Sequence, residues 1–228
     1  MVLGVKIGIV AAMRSEINYL LTHCEIVNEI KLKKNSFYQC EYGDYDLVIV
    51  ASGVGKTNAS VYTQMLIDYF EPTAVINIGI GGSLSEVISP LSVVLGESFS
   101  HHDVNQEQME NLFPNQSVFF ADSRLVTKFS TYIDETKQGK IVSGEVFISD
   151  SAVKEAIIKK HQPLLVDMET SSIAHCCYIN DMPFISLRSV SDLADESSDE
   201  TYEVNEKQAA DQVGKLLLSV LEKENFLF

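Results

Sequence analysis

Apolar and polar positions alternate along the chain in blocks of two kinds. Short runs rich in Val and Ile read as buried strands, and longer stretches with apolar residues three and four apart read as amphipathic helices. The strand runs are Val5–Val10, Phe37–Tyr42, Leu47–Ala51, Ala74–Ile80, Ser92–Phe99, Lys140–Ile148, Leu164–Met168 and Phe184–Val190. The helical stretches are Arg14–Leu21, Lys56–Phe70, Ala152–Lys160, Glu169–Tyr178 and Asn205–Glu224. Pro72 stops the second helix, and Gly43-Asp44 joins two strands as a hairpin. The segment Asn105–Ser117 lacks a clear period and reads as a long loop or lid. Strands alternating with helices predict an α/β fold with a mixed, mostly parallel sheet covered on both faces, and the hairpin makes part of it antiparallel. No repeat and no linker divides the chain, so residues 1–228 read as one domain.

Composition narrows the function. With 46% hydrophobic and 21% charged residues the chain is globular, and a net charge of -15 disfavours nucleic acid as a partner. A nucleobase or nucleoside ligand is compatible with that charge, since it need carry no phosphate. No apolar run reaches the length of a membrane span, and the start MVLGVKIGIVAAM reads as a first strand, not a signal peptide. Cys24, Cys40, Cys176 and Cys177 form no CxxC pair and read as reduced core thiols in a reducing compartment, the cytoplasm.

Two glycine-rich turns imitate nucleotide motifs and fail them. SGVGKTNAS lacks the first glycine of a Walker loop, where Val50 stands. NIGIGGSL has Leu84 where a dinucleotide fingerprint needs glycine. Either turn can still bring backbone close to a ligand. His101, His102 and Asp103 lack the spacing of a metal site and read as a hydrogen-bonded loop.

The chemistry-bearing pattern is a trio of acids. Glu16, Glu169 and Asp192 each follow an apolar strand at its C-terminal end. Singly, each has an ordinary reading: Glu16 and Glu169 as first-turn residues complementing a helix dipole, Asp192 as a cap. Together they could converge on one crevice at the edge where such sheets bind ligands. Crowded carboxylates shift one another, and one is raised toward neutral pH to serve as an acid. No GxSxG accompanies the serines.

GIVAAMRSE, SGVGKTNA, INIGIGGSL, HHDV, VSGEVFI, VDMETSSIAHCC, MPF and LRSVSDLAD with Tyr202 downstream occur in one order along the chain. In that order they resemble the methylthioadenosine/S-adenosylhomocysteine nucleosidases of the wider nucleoside phosphorylase and hydrolase family. The resemblance implies a three-layer α/β/α sandwich and a homodimer. It implies cleavage of the N-glycosidic bond of adenine nucleosides without metal or organic cofactor. By matched position, Glu16 activates water and Asp192 protonates purine N7. Met168 and Glu169 hold the ribose, and Arg188 lies on the ribose side. Phe147 stacks on the base, and the Ile148 backbone reads adenine. Met13, Val54 and Tyr202 surround the sugar and its 5′ substituent. Ile80 stands where a small residue is usual, Glu145 where Asp is usual, and Tyr202 where Phe is common. These departures leave 5′-deoxyadenosine or an aminodeoxyfutalosine-like nucleoside as further substrates. The rival readings are a phosphorylase of the same fold, disfavoured because Arg14 is the only arginine near the phosphate loops, and a non-catalytic nucleoside-binding protein.

Overall fold

The computed structural model describes residues 5–226, with Asp199 described along its backbone alone. Met1–Gly4 of the expected first strand region lie outside the described residues. Four strands form a parallel centre in the order β4 (Tyr45–Ala51), β1 (Val5–Ala11), β5 (Ala74–Ser83) and β10 (Phe184–Asp192). Both faces of these strands are apolar. Ile7 and Ile9 of β1, Leu47 and Ile49 of β4 and Ile76 and Ile78 of β5 pack on one side, while Val10, Val48, Val50 and Val75 pack on the other. Helices α1 (Arg14–His23) and α7 (Ser198–Lys223) cover the first face with Ile17, Leu20, Val213 and Leu217. Helices α2 (Lys56–Phe70) and α6 (Thr170–Ile179) cover the second with Ala59, Leu66, Ile173 and Cys177. The result is the expected three layers, held by burial of apolar area at about 25 cal/mol per Å².

The sheet extends in two directions. β3 (Asn35–Tyr42) pairs antiparallel with β4 through the turn at Gly43, and β2 (Glu25–Leu32) adds an antiparallel edge. On the other side β10 pairs antiparallel with β6 (Val93–His101). β6 runs parallel to β8 (Gln138–Ser143), and β8 parallel to β9 (Leu165–Asp167). β9 returns to the far end of β5, which closes this half of the sheet on itself. That closure brings the ends of β5, β9 and β10 together around one cavity.

Several elements differ from the sequence-based expectation. The expected strand Lys140–Ile148 leaves the sheet at Ser143, and Val146, Phe147 and Ile148 instead line the cavity. The expected loop Asn105–Ser117 contains helix α3 (Gln106–Asn111), started by the Asn105 side chain accepting from Gln108 N at 3.0 Å. None of its residues lines the cavity of this chain, and Gln106 and Pro114 hydrogen-bond His161 and Tyr178. α7 begins seven residues before the expected Asn205, and β10 runs through Asp192 instead of stopping at Val190. β2, the short β7 (Phe119–Phe120), α4 (Ser123–Ser130) and α5 (Ser151–His161, extending the expected helix at both ends) complete the chain. The four cysteines are free thiols.

Candidate active site

A cavity of about 570 Å³ opens at the C-terminal ends of β1, β5, β9 and β10. This size suits a nucleoside-scale ligand. Met13, Glu16, Val54, Ile80, Phe147, Ile148, Met168, Glu169, Asp192 and Tyr202 all line it. Thus the convergence of the three acids, inferred from strand ends, is present.

Glu16 sits in the first turn of α1 and is almost fully buried. Its Oε2 accepts from Ala12 N and Met13 N, both at 2.8 Å, and its Oε1 accepts from Ile80 N at 2.9 Å. The helix-start reading and the site reading are therefore both true. Three N–H donors fix the carboxylate and leave acceptor capacity facing the cavity. Burial pushes the Glu16 carboxyl above its ordinary range, opposed by the Arg188 guanidinium and the three N–H groups.

Glu169 opens α6, yet its side chain makes no cap. Its Oε1 reaches across to accept from Gly55 N at 2.8 Å. Gly55 needs φ 97°, which its lack of a Cβ allows, so the glycine turn that failed as a Walker loop serves the carboxylate instead. Burial raises Glu169 to about 7, against Arg188 and with a contribution from Asp167. One carboxylate of the trio is thus raised, but by desolvation more than by crowding, and it is Glu169 at the ribose side instead of the residue expected to deliver the proton.

Asp167 does the capping. Its Oδ1 accepts from Glu169 N and Thr170 N, both at 3.2 Å, and it also contacts the hydroxyls of Ser143 and Thr170. Asp192 is held by Ser191 Oγ donating to Oδ2 at 2.7 Å and Ala194 N donating to Oδ1 at 2.9 Å. It pairs in register with Gly82 at the end of β5.

Arg188, implied on the ribose side, lies beside the carboxylates of Glu16 and Glu169. It is wholly buried behind the wall and is absent from the lining. Its Nε lies 3.0 Å from Asp167 Oδ2, Nη1 3.7 Å from Glu16 Oε1 and Nη2 3.7 Å from Glu169 Oε2. One guanidinium therefore balances three buried carboxylates, which would otherwise repel strongly. Gly79 makes room for it: a Cβ there would lie 2.2 Å from Arg188 Nη1 and 2.5 Å from Glu16 Oε1.

The opposite end of the cavity is looser. Val54 and Phe147 are 47% and 39% exposed. Phe147 meets Tyr202 edge-on, with ring centroids 5.9 Å apart, and the Tyr202 hydroxyl donates to Met13 Sδ at 3.3 Å. Ile80 packs with Ala209 and Ala210 of α7, alongside Met13 and Tyr202. The wall also includes Val146, which lies within VSGEVFI beside Phe147, and Glu203, which no sequence motif marked. Away from the cavity, Asp103 pairs with Lys56 at 2.6 Å and accepts from Glu145 N at 2.9 Å, as a hydrogen-bonded loop would.

The family model of the phosphorylase superfamily matches residues 6–222. A Staphylococcus aureus 5′-methylthioadenosine/S-adenosylhomocysteine nucleosidase is 34% identical over 214 residues, covering 90% of this chain and 93% of that protein. The chain belongs to the 5′-methylthioadenosine/S-adenosylhomocysteine nucleosidases. Solved structures agree. The Neisseria meningitidis nucleosidase in complex with methylthio-immucillin-A superposes with a TM-score of 0.90 at 30% identity, over 96% of this chain and 100% of that one. Helicobacter pylori futalosine hydrolase superposes at 0.89 and 26% identity, over 96% and 98%. The nucleosidase fold is therefore shared across relatives whose named substrates differ.

Proposed function

We propose that this chain hydrolyses the N-glycosidic bond of 5′-methylthioadenosine and S-adenosylhomocysteine, releasing adenine and the free sugar. The observation that carries the reading is the convergence of Glu16, Glu169 and Asp192 on one nucleoside-sized cavity. Its support is the 34% identical nucleosidase from S. aureus.

The roles follow from charge. An anionic purine is a poor leaving group, so Asp192 delivers a proton to N7 as the bond to C1′ lengthens. Positioned acid catalysis of this kind contributes about 10²–10⁴-fold. The sugar becomes oxocarbenium-like, as in glycoside hydrolysis generally. Glu169, beside Met168 at the ribose, accepts from the sugar hydroxyls, and those bonds strengthen as positive charge grows on the ring. Glu16 takes a proton from the attacking water. Phe147 stacks on the base, Ile148 reads adenine through its backbone, and Met13, Val54, Ile80 and Tyr202 enclose the sugar and its 5′ group. Arg188 acts through the carboxylates it balances.

Water fits this site better than phosphate. Arg14 is exposed, donates through Nε to Asn18 at 3.1 Å and lies over the Tyr38 ring, 4.6 Å from its centroid. Arg188 is enclosed by carboxylates. A phosphate dianion would meet Glu16 instead of a cation. The likeness to futalosine hydrolase favours one second reading, an aminodeoxyfutalosine-type nucleoside at the same site. The free thiols fit a reducing cytoplasm, and the family resemblance supports a homodimer acting in methionine salvage. No helix among the described residues is long and apolar enough to cross a membrane.

The test is product analysis after incubation with methylthioadenosine, with and without phosphate. Adenine and free methylthioribose in both buffers is the expected result. Adenine only with phosphate, beside a sugar phosphate, would replace hydrolysis by phosphorolysis.

A further inference from the structure

The cavity is lined by five carboxylates, those of Glu16, Asp167, Glu169, Asp192 and Glu203. Among its described lining residues there is no lysine, arginine or histidine. Four of the acids are buried and belong to the reacting end. Glu203 differs: it is exposed, lies early in α7 beside Tyr202, and has no part in the hydrolytic chemistry. Glu206 follows one turn later on the same helix. The Tyr202 hydroxyl registers this surround. It is raised to about 12 by burial first, then by Glu206, Glu16, Asp192 and Glu169. Basic groups around this region are committed elsewhere. Lys56 is paired with Asp103 at 2.6 Å, Lys154 donates to Leu193 O at 2.6 Å, Lys207, one turn past Glu203 on α7, is paired with Asp211 at 3.0 Å, and Arg188 is enclosed behind the wall.

We propose that the 5′ end of the cavity selects its substituent by charge, admitting neutral and cationic 5′-thio groups over those ending in a carboxylate, with Glu203 as the residue that reads the charge. This rests on the nucleosidase reading above. A carboxylate carried to this rim meets a like charge with no counter-charge in the wall, whereas an ammonium meets a partner. The homocysteine group carries both, so S-adenosylhomocysteine is penalised less than a purely anionic substituent. The neutral methylthio group carries no penalty.

The test uses three 5′-thioadenosines of similar length, bearing propyl, aminopropyl and carboxyethyl groups. Adenine release is followed at neutral pH to give kcat and KM for each. The carboxyethyl compound is expected to have kcat/KM about tenfold below propyl, the loss lying in KM, and aminopropyl is expected to equal or exceed propyl. Added salt narrows the spread. Glu203→Gln is expected to raise the carboxyethyl-to-propyl ratio by about threefold or more. Equal kcat/KM for carboxyethyl and propyl overturns charge selection, and a gap that Glu203→Gln leaves untouched overturns the role of Glu203. Adenine release from the propyl compound keeps the nucleosidase reading standing whichever way the ranking falls. No adenine from any of the three overturns both.

Discussion

The two ends of the cavity are built differently. At the reacting end, side chains from α1, β5, β9 and β10 are locked into one buried network. Arg188 joins Asp167, Glu16 and Glu169, and Thr170 and Ser186 both donate to Asn77 Oδ1, at 2.8 and 2.9 Å. Asn77 in turn ties β5 to β1 by donating to Val10 O at 2.9 Å. At the open rim, which holds the 5′ group and the stacking face for the base, Val54, Val146, Phe147, Tyr202 and Glu203 come from loops and the beginning of a helix, are partly exposed, and share few hydrogen bonds. A change at the first end disturbs a whole set of charges, while a change at the second alters one contact. The bond broken is thus set by the sheet, and the 5′ group accepted is set by the rim, which can vary without refolding the core.

The largest effect expected from this contrast is at Arg188. Arg188→Met leaves Asp167, Glu16 and Glu169 buried without their counter-charge, so stability falls by about 3–5 kcal/mol in urea unfolding. A loss below about 1 kcal/mol would mean that the network is not held by that charge.

An intermediate effect is expected with pH. Glu169 must be ionised to accept from the ribose hydroxyls, and burial raises it to about 7. For methylthioadenosine, kcat/KM therefore falls by about tenfold per pH unit below that value, with raised Glu16 adding to the same limb. Stability runs the other way. A carboxyl raised above its ordinary value of 4.5 binds its proton more tightly when folded, so its contribution is full below 4.5 and is lost as pH rises through about 7. Glu169→Gln should remove that part of the decline in Tm. A decline identical to wild type would place the raised group elsewhere.

The smallest effect is expected at the rim. Tyr202→Phe removes only the hydroxyl's contact with Met13 Sδ. Its kcat/KM for methylthioadenosine should stay within about threefold of wild type, since one lost weak hydrogen bond costs little at a half-exposed position. A loss approaching that of a catalytic residue would erase the distinction between the two ends.

The reacting end was the more legible in sequence because strands leave strong patterns. Runs such as AVINIGI and PFISLRSV are buried on both faces and mostly apolar, and each ends near a residue that reaches the cavity. β2 was missed because EIVNEIKL is an exposed edge, with Ile26 and Val27 46% and 58% exposed, so it shows no buried face to read. α4 was missed because eight residues bury only Leu125 and Phe129, too few to set a period, although Asp122 caps it. The acid at 167 lay in view within VDME, but its role as cap and Arg188 partner depends on Ser143 and Arg188, which are distant in sequence. Glu203 carried no signal at all, since an acid on a helix surface is ordinarily solvated.

The most direct test of the central claim is the turnover of Asp192→Asn with methylthioadenosine, measured with the binding of the substrate. Asparagine keeps the shape, with its Oδ1 still accepting from Ala194 N and its amide NH2 donating to Ser191 Oγ where the carboxylate accepted, but it has no proton of comparable acidity to give to N7. The expected result is a fall in kcat of about 10²–10⁴-fold with binding within a few-fold of wild type. A variant that turns over at the wild-type rate would contradict the assignment of Asp192 as the acid, and with it the chemistry proposed for the buried end of the cavity.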